Sequence, residues 1–348
     1  MKILSWNVRG PGRPEKRRKI RKILHERAVD MALLQETKQS SVSNLRIKSF
    51  WPRDKMEFMS IDAAGLSGGL LCIWDPDVFH LSDCCSSRNF ILLLGKAHNS
   101  FDCVLVNIYA PNDVIKRKAL WVTLLNLKTL FVNPWCLGGD FNEIRNVGER
   151  IGVSCRYRGM QEFNDFIDNC EVVDVQMLGK KFTWCNTLEG KKWSRIDRFL
   201  LSPEWLVRYK LKLWGLPRTI SDHCPLLFME DGRDWGPKPF KFLNAWTLHP
   251  SLASLVESNW GELQLYGSAR SILKRKLQSL KLVLKKWNQE SYGIAAKKLE
   301  AIESALHDLD LKAETRPLDE GELRLQREER TEMWSHEQED GMEVAPKI

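Results

Sequence analysis

Pro134-Trp135-Cys136-Leu137-Gly138-Gly139-Asp140-Phe141-Asn142 is a short apolar run that ends in two glycines and two polar side chains. A run of that length reads as a buried strand, so Asp140 and Asn142 stand where a strand gives way to a loop. Residues two apart on extended chain point to the same side. A carboxylate and a carboxamide are therefore delivered together to one face of a sheet. The pair suits a site that holds and orients a water, since Asp accepts its proton while Asn both donates and accepts. Taken alone, the segment reads as a polar turn, because Asp and Asn are ordinary turn formers. The other polar strand ends of the chain decide between the two readings.

Asn7 closes the strand-like start in Trp6-Asn7-Val8-Arg9-Gly10, and Glu36 follows the apolar run in Leu33-Leu34-Gln35-Glu36-Thr37. Tyr109 and Asn112 follow Val104-Leu105-Val106 in Asn107-Ile108-Tyr109-Ala110-Pro111-Asn112. Asp197 lies inside Ser194-Arg195-Ile196-Asp197-Arg198-Phe199, where a carboxylate is costly to bury without a partner. Ser221-Asp222-His223-Cys224-Pro225 immediately precedes the last apolar run of this half. Each residue by itself has an ordinary explanation: a solvated strand end, a capped turn, a packed Tyr with its hydroxyl satisfied, a His in the core. The set changes the balance. It combines hard oxygen ligands with one Tyr and one His, without clustered His or Cys, and so points to magnesium or manganese rather than zinc.

The 348 residues suffice for one large α/β domain with an appendage, and 43% hydrophobic content allows a sizeable core. A formal charge of +8 favours polyanionic partners, nucleic acid above all. The nine cysteines form no CxxC pair and mostly sit in apolar runs, as buried free thiols of an intracellular chain would. No apolar run reaches membrane-spanning length, and no membrane partner is expected.

Up to about Glu230, short apolar runs alternate with amphipathic stretches. Strands are expected at Lys2–Val8, Met31–Gln35, Met56–Ile61, Leu70–Trp74, Phe90–Gly95, Cys103–Tyr109, Trp135–Asp140, Lys181–Trp184, Arg195–Leu201 and Pro225–Met229. Helices are expected at Pro14–Glu26, Val114–Leu130 and Arg158–Cys170. That many strands, several joined without helices, suit two packed sheets flanked by helices better than one doubly wound sheet. The expected division is an α/β domain over residues 1–230, a Gly- and Pro-rich linker over 231–239 and a helical extension over 240–348. In the extension, Leu273, Leu277, Leu280, Leu284 and Trp287, then Leu299, Ile302, Leu306 and Leu309, repeat at 3- and 4-residue steps. Such seams imply a coiled-coil-like antiparallel hairpin over 270–312, turning at Ser291-Tyr292-Gly293 and open to a coiled-coil partner. A highly charged, loosely held tail follows it.

Six segments occur in order: WNVRG at 6–10, LLQETK at 33–38, NIYAPN at 107–112, GGDFN at 138–142, RIDRFLLS at 195–202 and SDHCP at 221–225. Together they resemble the endonuclease/exonuclease/phosphatase superfamily, which includes DNase I-like and apurinic endonucleases. The spelling is most similar to the endonuclease domain of plant LINE-type non-LTR retrotransposons, and covers roughly residues 1–230. The resemblance implies a four-layered α/β sandwich and metal-dependent cleavage of a phosphodiester by an activated water. Position by position it implies Glu36 as the principal Mg2+ ligand, with Asn7 alongside and Asp222 helping. It implies that Asp140 deprotonates the water and that Asn142 holds the reacting groups. His223, steadied by Asp197, would stabilise charge at the phosphate, with Tyr109 and Asn112 on phosphate oxygens. Apurinic endonucleases carry an acidic residue two positions after the Asn that matches Asn7; here Arg9 stands there and offers a phosphate contact instead. The helical tail is similar to the segment that joins such an endonuclease to a reverse transcriptase, which makes the chain look like a fragment or truncated copy.

The expected substrate is double-stranded DNA, nicked on one strand, and the expected location is nuclear. Trp193 beside Lys191-Lys192 forms a basic and aromatic edge suited to nucleic acid. Arg195 is read either as part of that edge or as a same-face partner of Asp197. The basic run Lys16 to Lys22 fits a solvated helix face, a DNA contact or a nuclear signal. Two other readings remain: a phosphatase on phosphoinositides or small phosphoesters, and a catalytically silent remnant that only binds partners.

Overall fold

Two strand–helix–strand units set the frame. The computed structural model describes residues 1–39, 43–63, 68–152, 157–186, 192–230, 251–262, 269–287 and 293–342. The chain begins with β1 (Lys2–Asn7), α1 (Pro14–Glu26), β2 (Met31–Gln35), α2 (Asn44–Lys48), β3 (Glu57–Ile61), β4 (Leu70–Trp74) and β5 (Phe79–Ser87). Next come β6 (Phe90–Ala97), β7 (Phe101–Tyr109), α3 (Val114–Leu130), β8 (Trp135–Asp140), β9 (Arg150–Ile151), α4 (Tyr157–Asn169), β10 (Val173–Asp174) and β11 (Met177–Leu178). Then follow β12 (Trp184–Cys185), β13 (Trp193–Ser194), β14 (Asp197–Leu201), α5 (Pro203–Arg208), β15 (Leu211–Gly215) and β16 (Leu226–Glu230). Helices α6 (Ser251–Glu262), α7 (Ala269–Trp287), α8 (Gly293–Thr315) and α9 (Glu320–Met342) come last.

A seven-stranded sheet has the order β11-β15-β16-β1-β2-β4-β3, and a six-stranded sheet the order β10-β14-β8-β7-β6-β5. At the centre of each lies one parallel pair, β1 with β2 and β7 with β8, joined by α1 and α3 respectively. Both helices start where the sequence sets them: Pro14 opens α1, and the Asp113 side chain caps α3 by accepting from Lys116 N. The two sheets face each other across Ile3, Leu33, Cys72, Leu93, Leu105, Cys136, Phe199 and Phe228. On the outer side of the second sheet, Trp121 of α3 stacks on Phe166 of α4 at 4.8 Å between ring centres. This is the two-sheet α/β arrangement flanked by helices that the strand count implied.

Beneath the future site, one polar link joins the sheets. The Gln35 side-chain amide donates to Asn107 Oδ1 at 2.7 Å, and the Asn107 amide donates to the Leu34 and Leu71 carbonyls. Gly138 and Gly139 are required by close approach. A Cβ on Gly138 would come within 2.7 Å of the Phe199 ring, and one on Gly139, at φ +152°, would collide with the Ile108 carbonyl.

Residues 1–233 together with 310–317 form one compact unit, and residues 234–309 with 318–348 form another. The expected linker over 231–239 and the turn residues 291–292 lie outside the described residues. In the second unit, Leu284 and Trp287 of α7 pack on Leu252 of α6, while Ile302 and Leu306 of α8 pack on Met333 of α9. Of the first expected seam, Leu273 and Leu277 are exposed while Leu284 and Trp287 are buried. Among the described residues, no helix is long and apolar enough to cross a membrane.

Candidate active site

The parallel pairs deliver their polar ends to one place. β1 ends on Asn7 and β2 on Gln35, just before Glu36; β7 ends on Tyr109 and β8 on Asp140, and those two are register partners. β14, antiparallel to β8, sets Asp197 directly beside Asp140. Ligand sites form outside the carboxyl ends of parallel strands, because there the chain leaves the sheet and side chains converge. Arg9, Glu36 and Asn142 sit there at φ of 50°, 49° and 51°, a left-handed conformation that non-glycine residues rarely adopt.

The Asn7 side-chain amide donates to Asp140 Oδ2 at 3.0 Å and to Glu36 Oε1 at 3.3 Å, joining the two sheets' carboxylates. The Tyr109 hydroxyl donates to Glu36 Oε1 at 2.9 Å. Asp140 Oδ1 accepts the Asn142 backbone N–H at 3.0 Å, and the Asn142 amide donates to the Ala110 carbonyl. His223 Nδ1 lies 2.9 Å from Asp197 Oδ2, and its Nε2 lies 3.9 Å from Asp140 Oδ2. Asp140, Asp197 and His223 are all buried.

Burial, and then the Asp197 carboxylate, push the Asp140 carboxyl up to about 7. Burial opposes the His223 cation, yet the Asp197 and Asp140 carboxylates outweigh it and raise the imidazole to about 9. Burial and the Glu36 carboxylate hold the Tyr109 phenol protonated. At neutral pH the centre thus offers a carboxyl poised to gain or lose a proton beside a charged imidazole. An Asp on the far nitrogen of a His also fixes which nitrogen faces the site.

These groups open into a cleft of about 660 Å³ lined by Arg9, Lys38, Arg117, Arg150 and Lys192 as well as Glu36, Tyr109, Asn112, Asp140, Asn142 and His223. Arg9 forks onto Asp222, with Nε 3.0 Å from Oδ1 and Nη2 2.9 Å from Oδ2, and its Nε lies 3.8 Å from Glu36 Oε1. Lys38 Nζ lies 3.6 Å from Glu36 Oε2. Burial works against it, but the His223 ring and Arg9 keep the Asp222 carboxyl below its usual range.

Four carboxylates and an imidazole crowd a small volume. Asp140, Asp197 and His223 present ligand atoms within 4.8 Å of one another, and Glu36 and Asp222 draw on the same guanidinium. This surplus of hard oxygen donors fits a divalent cation of the magnesium or manganese type.

Two expected substrate contacts lie elsewhere. Trp193 is buried against Phe182 and Cys185, because an indole next to those apolar neighbours packs before it binds. Arg195 is bound to Glu149 and Asp174 at 3.2 and 3.0 Å and lines a separate polar cleft of about 480 Å³. Beside it the fully buried Arg198 pairs with the same two carboxylates. On α1, Lys16, Arg17 and Arg21 donate to backbone carbonyls of neighbouring loops. Two residues without any sequence signal matter to the geometry. Thr183 Oγ1 accepts the Ile196 and Asp197 N–H groups at 3.0 Å each, and the Trp184 indole donates to Asp222 Oδ2 at 2.9 Å.

The fold is similar to an apurinic endonuclease from Leishmania major, with TM-score 0.53, 16% identity, and coverage of 66% of this chain and 88% of that one. It is likewise similar to the endonuclease domain of TRAS1, a telomere-specific non-LTR retrotransposon, with TM-score 0.50, 15% identity, and coverage of 67% and 99%. A 3′-5′ exonuclease from Neisseria meningitidis gives TM-score 0.51, 19% identity, and coverage of 67% and 100%. No curated protein sequence is significantly similar. The model of the Endonuclease/Exonuclease/phosphatase family matches residues 4–223, an interval that runs from β1 through Glu36, Asp140 and Asp197 to His223. With the sheets, the paired strand ends and that match in agreement, the chain belongs to the endonuclease/exonuclease/phosphatase family.

Proposed function

We propose that this cleft hydrolyses a phosphodiester of double-stranded DNA, nicking one strand as in the target cleavage that primes reverse transcription of a retrotransposon. The observation that carries the reading is the alignment of a proton acceptor, Asp140, with an Asp197-held His223 across 3.9 Å, at the floor of a cation-lined cleft. The motif spelling and the retrotransposon endonuclease among the similar folds support the choice of substrate.

Asp140 takes the proton of the attacking water, for which a carboxyl raised towards neutrality is suited. As the water oxygen bonds to phosphorus, negative charge grows on the phosphate oxygens. Protonated His223 faces that charge, and Asp197 keeps the ring oriented and cationic. Tyr109, Asn112 and Asn142 offer donors to the phosphate, while Arg9, Lys38, Arg150 and Lys192 run along the path of the backbone. The bond from phosphorus to the 3′-oxygen breaks with its electron pair going to that oxygen, which takes a proton from solvent water and leaves as the hydroxyl a polymerase extends. Glu36 and Asn7, with Asp222, would hold a Mg2+ or Mn2+ ion, which supplies positive charge to the reacting phosphate.

The full chain with supercoiled plasmid and Mg2+ or Mn2+ should convert it to the nicked circle. Glu36→Ala and His223→Ala should each reduce the rate by 100-fold or more, on the order of losing one oxyanion-stabilising group, with an unchanged circular dichroism spectrum. A folded wild-type chain that nicks nothing with either metal would end this reading, and turnover of soluble phosphoesters with indifference to DNA would select a phosphatase.

A further inference from the structure

The helical extension supplies side chains to the hydrolytic domain. Residues 310–317 belong to the same compact unit as residues 1–233. Asp310 Oδ1 accepts from Arg218 Nη2 at 2.9 Å, Lys180 Nζ lies 3.7 Å from Asp310 Oδ2, and all three side chains are buried. One turn further along α8, Glu314 accepts two backbone N–H groups, Lys181 at 2.8 Å and Phe182 at 3.4 Å. Ala313 between them packs on the Phe182, Cys185 and Trp193 cluster. Two carboxylates one helical turn apart thus grip a loop that begins at Lys180.

That loop reaches the site in one step. Thr183, next to Phe182, accepts the Asp197 N–H through its hydroxyl and the Cys224 N–H, at 2.8 Å, through its carbonyl. Trp184 pairs with His223 as a β-bridge, and Cys185 N donates to the Asp222 carbonyl at 3.1 Å. Both members of the Asp197–His223 pair therefore hang on residues 183–185, whose preceding residues are gripped by α8.

We propose that Asp310 and Glu314 are positioning residues: by clamping the Lys180–Phe182 segment they set the orientation of His223 against Asp197 and Asp140. The hydrolytic unit then extends past residue 230 to include 310–317. The kinetic part rests on the proposed nicking activity; the structural part does not.

The test uses the full chain. The low-field Nδ1 proton resonance of His223, assigned by its loss in His223→Gln, should shift or broaden in Glu314→Ala at unchanged far-ultraviolet circular dichroism. Glu314→Gln keeps an acceptor oxygen and should restore it. Plasmid nicking by Glu314→Ala should fall about tenfold in kcat with KM within about twofold, the pattern of misplaced rather than missing groups. Should Glu314→Ala fail to fold, Asp310→Asn carries the same measurement. An unperturbed His223 resonance in the folded variant overturns the proposal. If wild type does not nick, the resonance still decides it, so the two failures are distinguishable.

Discussion

At the scale of single residues, Arg9 is the most consequential departure from the pattern of apurinic endonucleases. It stands at φ 50° and bridges Asp222 and Glu36, two of the residues that would hold a metal. Opposite charges at this range in a half-buried setting attract strongly, so a dication reaching Glu36 and Asp222 must compete with the guanidinium. Arg9→Ala should therefore bind Mn2+ more tightly, by a few-fold to tenfold in titration calorimetry, and bind DNA more weakly through loss of a phosphate contact. Equal or weaker Mn2+ binding would mean that Arg9 helps the site rather than competing for it. The residue itself was plain in the sequence from the family motif, and Asn7, Glu36, Asp140, Asp197 and His223 were plain because each interrupts or borders an apolar run. Trp193 and Arg195 were equally visible, but their surroundings were not. One sits in an apolar cluster with its strand partner Cys185, and the other between two carboxylates 46 and 21 positions away in the chain.

At the scale of elements, the site depends on two sheets meeting at a fixed offset. The Gln35–Asn107 contact pins the end of β2 to β7, one sheet to the other, within a few residues of Glu36 and Tyr109. Asn107→Ala would take the Asn107 amide donor from the buried Leu34 and Leu71 carbonyls, while the Gln35 amide keeps Ser5 Oγ and the Leu33 carbonyl as acceptors. Unfolding in urea should show a loss of about 1–3 kcal/mol, because buried groups that lose a partner keep their desolvation penalty. Strands with unbroken apolar runs, such as β2, β4 and β8, are legible because they are buried on both faces. By contrast β5 eluded the sequence reading. It is an edge strand with a polar, mostly exposed stretch and a register shift at Leu81/Asp83, held by its pairing with β6 rather than by its own pattern.

At the scale of the whole molecule, the centre couples protonation to folding. His223 is raised above its ordinary value to about 9, so its ion pair stabilises the fold fully below about 6.5 and is lost as pH rises through about 9. Asp140, raised to about 7, acts in the same direction at lower pH, its contribution being lost between about pH 4 and 7, since its protonated form is the one the buried site favours. Through His223 the metal-free chain should lose stability between pH 6.5 and 9, on the order of 3 kcal/mol, and His223→Gln should show a flatter slope there by thermal melting. What the sequence by itself determined is the layered α/β plan, the order of the motifs and the identity of the polar strand ends, because periodicity and local turn chemistry are written in neighbouring residues. What only the tertiary structure decided is which of those polar groups touch, which cations are already bound and which distant segment completes the domain. Asp310 and Glu314 lie well over 100 positions from the loop they grip, and no local pattern can record a contact whose two halves meet only once the chain has folded.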